Sequence, residues 1–491
     1  MSSTKTPPKQ SYGFLVILMV GAFFTVLCST LMSNVTPIIM SKFGISASTA
    51  QWMTTVYMLT AGILVPTSAF LLSKYSTRRL FLLCMGVFTI GTLLGGLAPN
   101  FAILIIARVI QALGASLVMP LLMNILFSTF PPDKRGKAMG LFGFILIFAP
   151  AIGPTIAGLV LEVASWRALF HLIWPITLIV FLFAYFKLES NKETQPGRID
   201  ILSVLLSALA FGGIIYAFSS AGKRGWDDAV VIVSLIVGIL GLVTLILRQN
   251  KLAEPMLSFK IFLNPKFTVS IITFCIILFA MYSVMIPMPI YLQSVRGISA
   301  LKTGLLMMPG SVLMGLLMPV NGTLYDKFGV KPLVWVGFPL ILIASVMLSQ
   351  MSLSTTFFYI CLAYALRMVG VGIVQIPMQT NSMNSLDEKE FAHGTAMTNT
   401  LQQVVGAISS SLIITTITTR ATAHGKDLMK EALQNGTALT QQLKETISHQ
   451  AMIAGTNDAY LISIAVVVVG FIFGLFVKTK KSQKGAHHHG V

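Results

Sequence analysis

Gly322-Thr-Leu-Tyr-Asp-Lys-Phe-Gly-Val-Lys-Pro-Leu333 closes one long apolar run, and Ala69-Phe-Leu-Leu-Ser-Lys-Tyr-Ser-Thr-Arg-Arg-Leu80 closes another at the same relative place. Each is a short polar turn between stretches of roughly 20 apolar residues, the length a helix needs to cross a hydrocarbon core of about 30 Å. Arg108 and Arg367 repeat the correspondence, each inside an apolar run two runs further on. Turn and arginine together register residues 1–190 against residues 261–480 as two six-helix halves, with two additional apolar runs in 191–260. Parallel halves of this kind are related by an axis along the membrane normal and meet near the midplane.

Working outward, apolar runs recur over the whole chain, near 12–33, 48–72, 79–97, 102–127, 138–160, 168–187, 200–219, 229–247, 267–287, 302–322, 332–351, 356–380, 394–416 and 458–477. The chain is 55% hydrophobic and 10% charged, against about 45–50% and about 25% in soluble domains. An all-α polytopic membrane protein of about fourteen transmembrane helices follows. Pairs such as Gly153-Pro154 and Pro287/Pro289 are tolerated inside spans, where neighbouring helices satisfy the freed backbone groups. The first span follows Lys5 and Lys9 like a secretory signal, but it lacks a small-residue cleavage site and is too long, so it is read as retained.

The formal charge is +18, yet the basic residues sit in loops and not in a nucleic-acid-binding domain. With both termini on one side, 22 of the 34 Lys and Arg fall on that side and 10 on the other, so both termini are expected in the cytoplasm of a multi-pass cell-membrane protein. The polar stretch 417–457 then lies outside, as a loop or short amphipathic hairpin. Residues 481–491, with His487 to His489, read as a tail and tag remnant. Cys28, Cys84, Cys275 and Cys361 lie in apolar segments without CxxC spacing, which argues against a disulfide frame or a zinc site. No phosphate-binding GxxxxGK[ST], HExxH or GxSxG occurs, so neither ATP drive nor an embedded enzyme is indicated, and no cofactor or metal is expected.

The chain resembles the major facilitator superfamily, in particular its fourteen-span drug:proton antiporters, over nearly its whole length. Gly322 to Lys331 fits that family's GxLxDRxGRR turn, whereas the first copy keeps Leu71, Lys74 and Arg79 but has Ala69, Ser73 and Ser76 in place of Gly, Asp and Gly. Arg108-Val-Ile-Gln111-Ala-Leu-Gly114 is similar to the span 4 motif RxxQGxG. The stretch Ala149-Pro150-Ala-Ile-Gly153-Pro154-Thr-Ile-Ala-Gly158 is similar to a span 5 motif associated with exporters. Pro132 to Gly140, Ala50-Gln-Trp52, Trp166-Arg167 and Tyr291-Leu-Gln293 add weaker matches. The resemblance implies a monomeric secondary-active exporter of small amphipathic substrates, working by alternating access and coupled to protons. The alternative is an exporter or flippase for an endogenous lipid or acidic metabolite, with different coupling or none.

Site residues follow from both kinds of reading. An arginine inside a span costs roughly 2.5–3.5 kcal/mol on insertion scales and should face the bundle interior or a watery cavity. Arg108, with Gln111, therefore heads the substrate or proton pathway; a structural arginine bonded to carbonyls is the competing reading, and Arg367 stands evenly between the two. Asp326 and Lys327, with Lys331, sit at a turn where a carboxylate can pair with an arginine or cap a helix and hold one conformation closed. Lys74 and Arg79 are their counterparts, without the acid. Gly153, Pro154 and Gly158 allow close approach and bending of span 5. Family members commonly carry LDxTxxNxAxP in span 1; here Leu27-Cys28-Ser-Thr30 puts Cys28 at the Asp position. Thr30 and His171, the latter titratable in the useful range, complete the pathway candidates. Phe144, Phe148, Met285, Met288, Met307 and Met308 are pocket-lining candidates, with ordinary packing as the blander reading.

Overall fold

The computed structural model describes residues 12–45, 47–188, 200–285, 287–435 and 440–477, and all regular structure among them is helical. The basic N-terminal tail, the link 189–199 and the tail 481–491 lie outside the described residues. The first half contains α1 (Tyr12–Leu31) and α2, which runs from Ala47–Leu64 through a 3-10 turn at Val65–Thr67 into Ser68–Lys74. It continues with α3 (Thr77–Leu97), α4 (Phe101–Thr129), α5 (Arg135–Val163) and α6 (Arg167–Lys187). The intervening pair is α7, Ile201–Ser207 carried by a π turn at Ala208–Gly212 into Gly213–Arg224, and α8 (Ala229–Lys251). The second half is α9 (Pro265–Met285), α10 (Ala300–Phe328), α11 (Lys331–Leu348), α12 (Phe357–Asn384), α13 (Phe391–Gln434) and α14 (Gln441–Phe476). Among the described residues, 12 helices are long and apolar enough to cross a membrane. α1, with a shorter apolar run at Leu15–Leu31, and α5 occupy the two other predicted places.

Side-chain caps set many of these boundaries. Asn100 accepts the amide of Ile103 at 3.0 Å, Thr356 that of Tyr359 at 3.3 Å and Thr440 that of Leu443 at 3.3 Å, each satisfying a first-turn donor that the helix cannot.

Two expectations change. Asp326 and Lys327 are not in a turn; α10 continues through both to Phe328, and the reversal falls at Gly329, whose φ of 77° suits glycine. The stretch 417–457, expected as an outer loop or short hairpin, is mostly helical, because α13 extends unbroken to Gln434 and α14 starts at Gln441. Its Ala, Leu, Lys, Met, Glu and Gln are good helix formers and are concentrated towards the end of α13, after Gly425. At the base of this projection Asp458 of α14 accepts from Arg420 and lies 2.9 Å from His424 Nε2, both of α13.

The halves meet along two seams. At one, α5 packs along α10; at the other, α13 packs on α2 and α4. α7 lies over the second seam, touching α2 and α13, and α8 packs outside it. Glycines set that outer contact: a Cβ on Gly213 would lie 2.8 Å from Gly238 Cα, and one on Gly241 2.9 Å from Ala210 N. Close approach of this kind is how helices associate where burial from water offers little. Gly238→Val is expected to pry α8 from α7 and cost about 1–3 kcal/mol, read as a lower melting temperature in detergent than that of the parent protein.

Candidate functional site

Arg108 sits about two turns into α4 and is 1% exposed. Its Nε donates to the Met53 carbonyl of α2 at 3.2 Å and its Nη1 to Gln111 Oε1 at 2.8 Å. The guanidinium lies over the Tyr57 ring, 4.3 Å from its centroid, an arrangement that stabilises a desolvated cation. Gln111 passes the network on, its Nε2 donating to Thr92 Oγ1 at 2.9 Å and to Cys28 Sγ at 3.4 Å. One polar cluster therefore joins α1, α2, α3 and α4. It forms because Arg108 and Gln111 are three residues apart on one helical face, and because Gly91 lets α3 approach: a Cβ there would lie 2.6 Å from Gln111 N.

Arg367 of α12 is 0% exposed and differently held. Its Nε and Nη2 share the Ala280 carbonyl at 3.2 and 3.0 Å, Nη2 also meets Ser283 at 2.6 Å and Ser463 at 2.7 Å, and Nη1 meets Ser345 at 2.6 Å. Five contacts with neutral acceptors from α9, α11 and α14 engage all three nitrogens of the fork, which makes Arg367 a staple of the second half. Arg108 makes two hydrogen bonds with the same five donors. Among the described residues neither guanidinium has a carboxylate partner.

Other predicted pathway residues fall elsewhere. Thr30 donates to the Leu27 carbonyl at 2.8 Å and packs on α5, where a Cβ on Gly153 would lie 2.5 Å from Thr30 Oγ1. That close approach fits the packing role predicted for Gly153. The side chains of Pro154 and Gly158 lie outside the described residues. His171 is exposed, with Nδ1 accepting from Trp174 Nε1 at 3.1 Å, and has no link to the Arg108 cluster. Of the pocket candidates, Phe144 and Phe148 stack at 4.8 Å, Met288 is buried, and Met285 and Met308 are exposed.

The repeated turn supplies the strongest contact between the halves. Both oxygens of Asp326 accept first-turn amides of α5, Gly136 N at 2.8 Å and Lys137 N at 2.9 Å. α5 has no cap from its own Lys134, so the second half caps a helix of the first with a charge at the favourable end of its dipole. Gly136 and Gly322 make this possible, since a Cβ on either would collide with the other's carbonyl oxygen. Behind the cap, Arg135 donates to the Phe130 carbonyl at 3.0 Å and to Asn384 Oδ1 at 3.0 Å, with its guanidinium against the rings of Phe391 and Phe127. Deeper still, Gln379 and Asn399 both donate to Met123 Sδ at 3.7 Å. Three layers thus close the halves together at the Asp326 end.

Lys327 and Lys331 are exposed at this end. Lys74 pairs with Glu254 at 2.6 Å, and Arg79 lies over the Tyr75 ring while its amide is capped by Ser76. Sequence reasoning found the acid and its capping role but missed Arg135, Met123, Gln379 and Asn399. Gln375 and Gln379, four apart in an otherwise apolar stretch, were a signal; a methionine acceptor leaves none.

A family model described as the Major Facilitator Superfamily matches residues 18–410. The chain belongs to the major facilitator superfamily. It is 37% identical to the uncharacterized MFS-type transporter YhcA of Bacillus subtilis, over 97% of this chain and 94% of that protein. It is 38% identical to the lincomycin resistance protein LmrB of Listeria innocua, over 95% of this chain and 96% of that one. The fold is shared with the solved proton:xylose symporter XylE, with a TM-score of 0.63 at 13% identity, covering 95% of this chain and 96% of that chain. This superfamily chain is a transporter and not an enzyme.

Asp326→Asn removes the charge from the α5 cap and is expected to weaken closure by about 1–2 kcal/mol. Transport turnover should fall more than substrate affinity; equal losses of both would sink the latch assignment.

Proposed function

We propose that this transporter exports amphipathic compounds across the cell membrane by alternating access, coupled to proton influx, as a monomer with both termini in the cytoplasm. The closure built on Asp326 carries the reading, because a charged cap reaching from one half to the other is made in one conformation and lost when the halves rock apart. With that orientation the cap lies at the cytoplasmic end. Relatives named for lincomycin and multidrug resistance support export of small compounds.

The Arg108 cluster bears on the kind of substrate. It offers a buried positive charge with spare donors and an aromatic face, and Cys28 stands where the related antiporters hold an acid. A neutral, zwitterionic or anionic amphiphile fits this cluster better than an organic cation, which would meet like charge. A second reading, export of an endogenous lipid or acidic metabolite, is favoured by a lateral cavity of about 310 Å³ lined by Phe262, Ile272, Cys275, Phe279, Val405 and Val466.

Proteoliposomes with an internal pH dye, challenged with cationic, neutral and anionic amphiphiles, separate the readings. Substrate-dependent proton flux with neutral or anionic compounds, lost in Arg108→Ala, is the expected result. Binding without flux for every compound would instead favour the lipid or metabolite exporter. Arg108→Ala should abolish transport and leave the protein folded in the membrane; substantial residual transport would remove Arg108 from the site.

A further inference from the structure

The two seams between the halves should close alike if the halves were equivalent, but their turns differ. At the α5–α10 seam Asp326 supplies the cap. At the α2–α13 seam the matching residue is Ser73, whose hydroxyl donates to the Phe70 carbonyl of its own helix at 2.8 Å. The helix it faces, α13, is entered through the 3-10 turn Glu388–Glu390, which Asp387 and Glu390 cap as a reciprocal box within the second half, so among the described residues none of the first half caps it as Asp326 caps α5.

A different segment occupies this seam. Residues 252–258, which lead from α8 towards the second half, are fixed at three points. Gln249 of α8 accepts the Leu257 amide at 3.1 Å while donating to Ser203 of α7 at 2.6 Å. The same end of the α7–α8 pair is clamped by Arg248 on both oxygens of Asp200, at 2.9 and 3.0 Å. Towards the first half, Glu254 pairs with Lys74 at the end of α2, at 2.6 Å, with Lys74 only 12% exposed. Towards the second, the Ser258 amide donates at 3.2 Å to Nδ1 of His393, the third residue of α13. Met256 and Leu257 are buried between these anchors, at 4% and 0% exposure.

We propose that residues 252–258 form a strap that replaces the missing acid, tying the end of α2 to the start of α13 and closing the second seam at the cytoplasmic end. Lys74, Glu254 and His393 are then positioning residues of the transport cycle, and the α7–α8 pair acts on the cycle as the strap's anchor. Ser258 and His393 travel together, because the strap continues into α9 of the second half. The Lys74–Glu254 pair is the link that has to part when the halves rock. This inference rests on the alternating-access reading, since a strap across a static seam would have nothing to control.

Amide hydrogen exchange on the full-length protein in lipid nanodiscs tests it, read at the first turns of α5 and α13, with the interior of α4 as a folding control. Asp326→Asn should accelerate exchange at both first turns and serves as the reference for opening. Lys74→Gln, Glu254→Gln and His393→Leu should each accelerate exchange at the start of α13 by about two- to five-fold, the scale of a partly exposed ion pair, without changing α4. The swap Lys74→Glu with Glu254→Lys should restore slow exchange. Acceleration by Asp326→Asn alone would overturn the strap and leave the latch standing. No acceleration by any variant would overturn both, and a swap as fast as the single variants would reduce Lys74 and Glu254 to unrelated surface charges.

Discussion

One carboxylate, that of Asp326 in the last turn of α10, caps the first turn of α5. Two amides that an isolated α5 would leave to water are satisfied by a residue 190 positions away, and the charge lies at the end of the helix where the dipole favours an anion. The backbones can approach this closely because glycine stands on both sides of the contact, at Gly136 and Gly322. Arg135, the Phe127–Phe391 ring pair at 5.8 Å and the Met123 contacts are stacked behind it. Behind it the halves are also bridged by the charge-assisted hydrogen bond from Arg135 to Asn384, by ring faces and by a thioether, whereas Asp326 sets one charge against two backbone amides.

The two buried arginines show how one residue type at equivalent places can be put to different uses. Burying a cation without a counter-charge is costly unless dipoles replace the lost water. Arg367 receives that replacement from one carbonyl and three serines, which reach all three of its nitrogens, whereas Arg108 receives a carbonyl, an amide and an aromatic face. The difference lies in the neighbours, serine on three sides of one and Met53, Gln111 and Tyr57 around the other, so symmetry of sequence does not carry symmetry of role.

Much of the architecture was legible because apolar runs of membrane-spanning length admit few alternatives to helices, and because a turn and an arginine recur in register. For the 417–457 region a loop and a short hairpin both stayed open in the sequence, and the hairpin's helices proved longer than their apolar parts, because polarity marks where a helix leaves the bilayer, not where it ends. Asp326 was recognisable as a capping acid from its place after an apolar run, but its partner amides carry no sequence signature. Cys28 could be seen to replace an acid, and Gln111 to share a face with Arg108; that the glutamine would join the two required knowing how α1, α3 and α4 pack. The bonds of residues 252–258 were invisible, being set by tertiary proximity among a lysine, a glutamate and a histidine that resemble ordinary loop residues.

The length of α13 has a consequence of its own. At 44 residues and 1.5 Å per residue it extends about 66 Å, roughly twice the hydrocarbon thickness of a bilayer. Its first turn belongs to the seam of residues 252–258, and beyond the apolar span it is braced to α14 where Arg420 and His424 meet Asp458. A stiff rod anchored in this way is a pointer: a small tilt at its base becomes a displacement of several ångströms at its tip. The helical hairpin therefore offers a rigid handle at the end of α13 away from the Asp326 cap, where an antibody fragment or a pair of distance probes would report the posture of the second half.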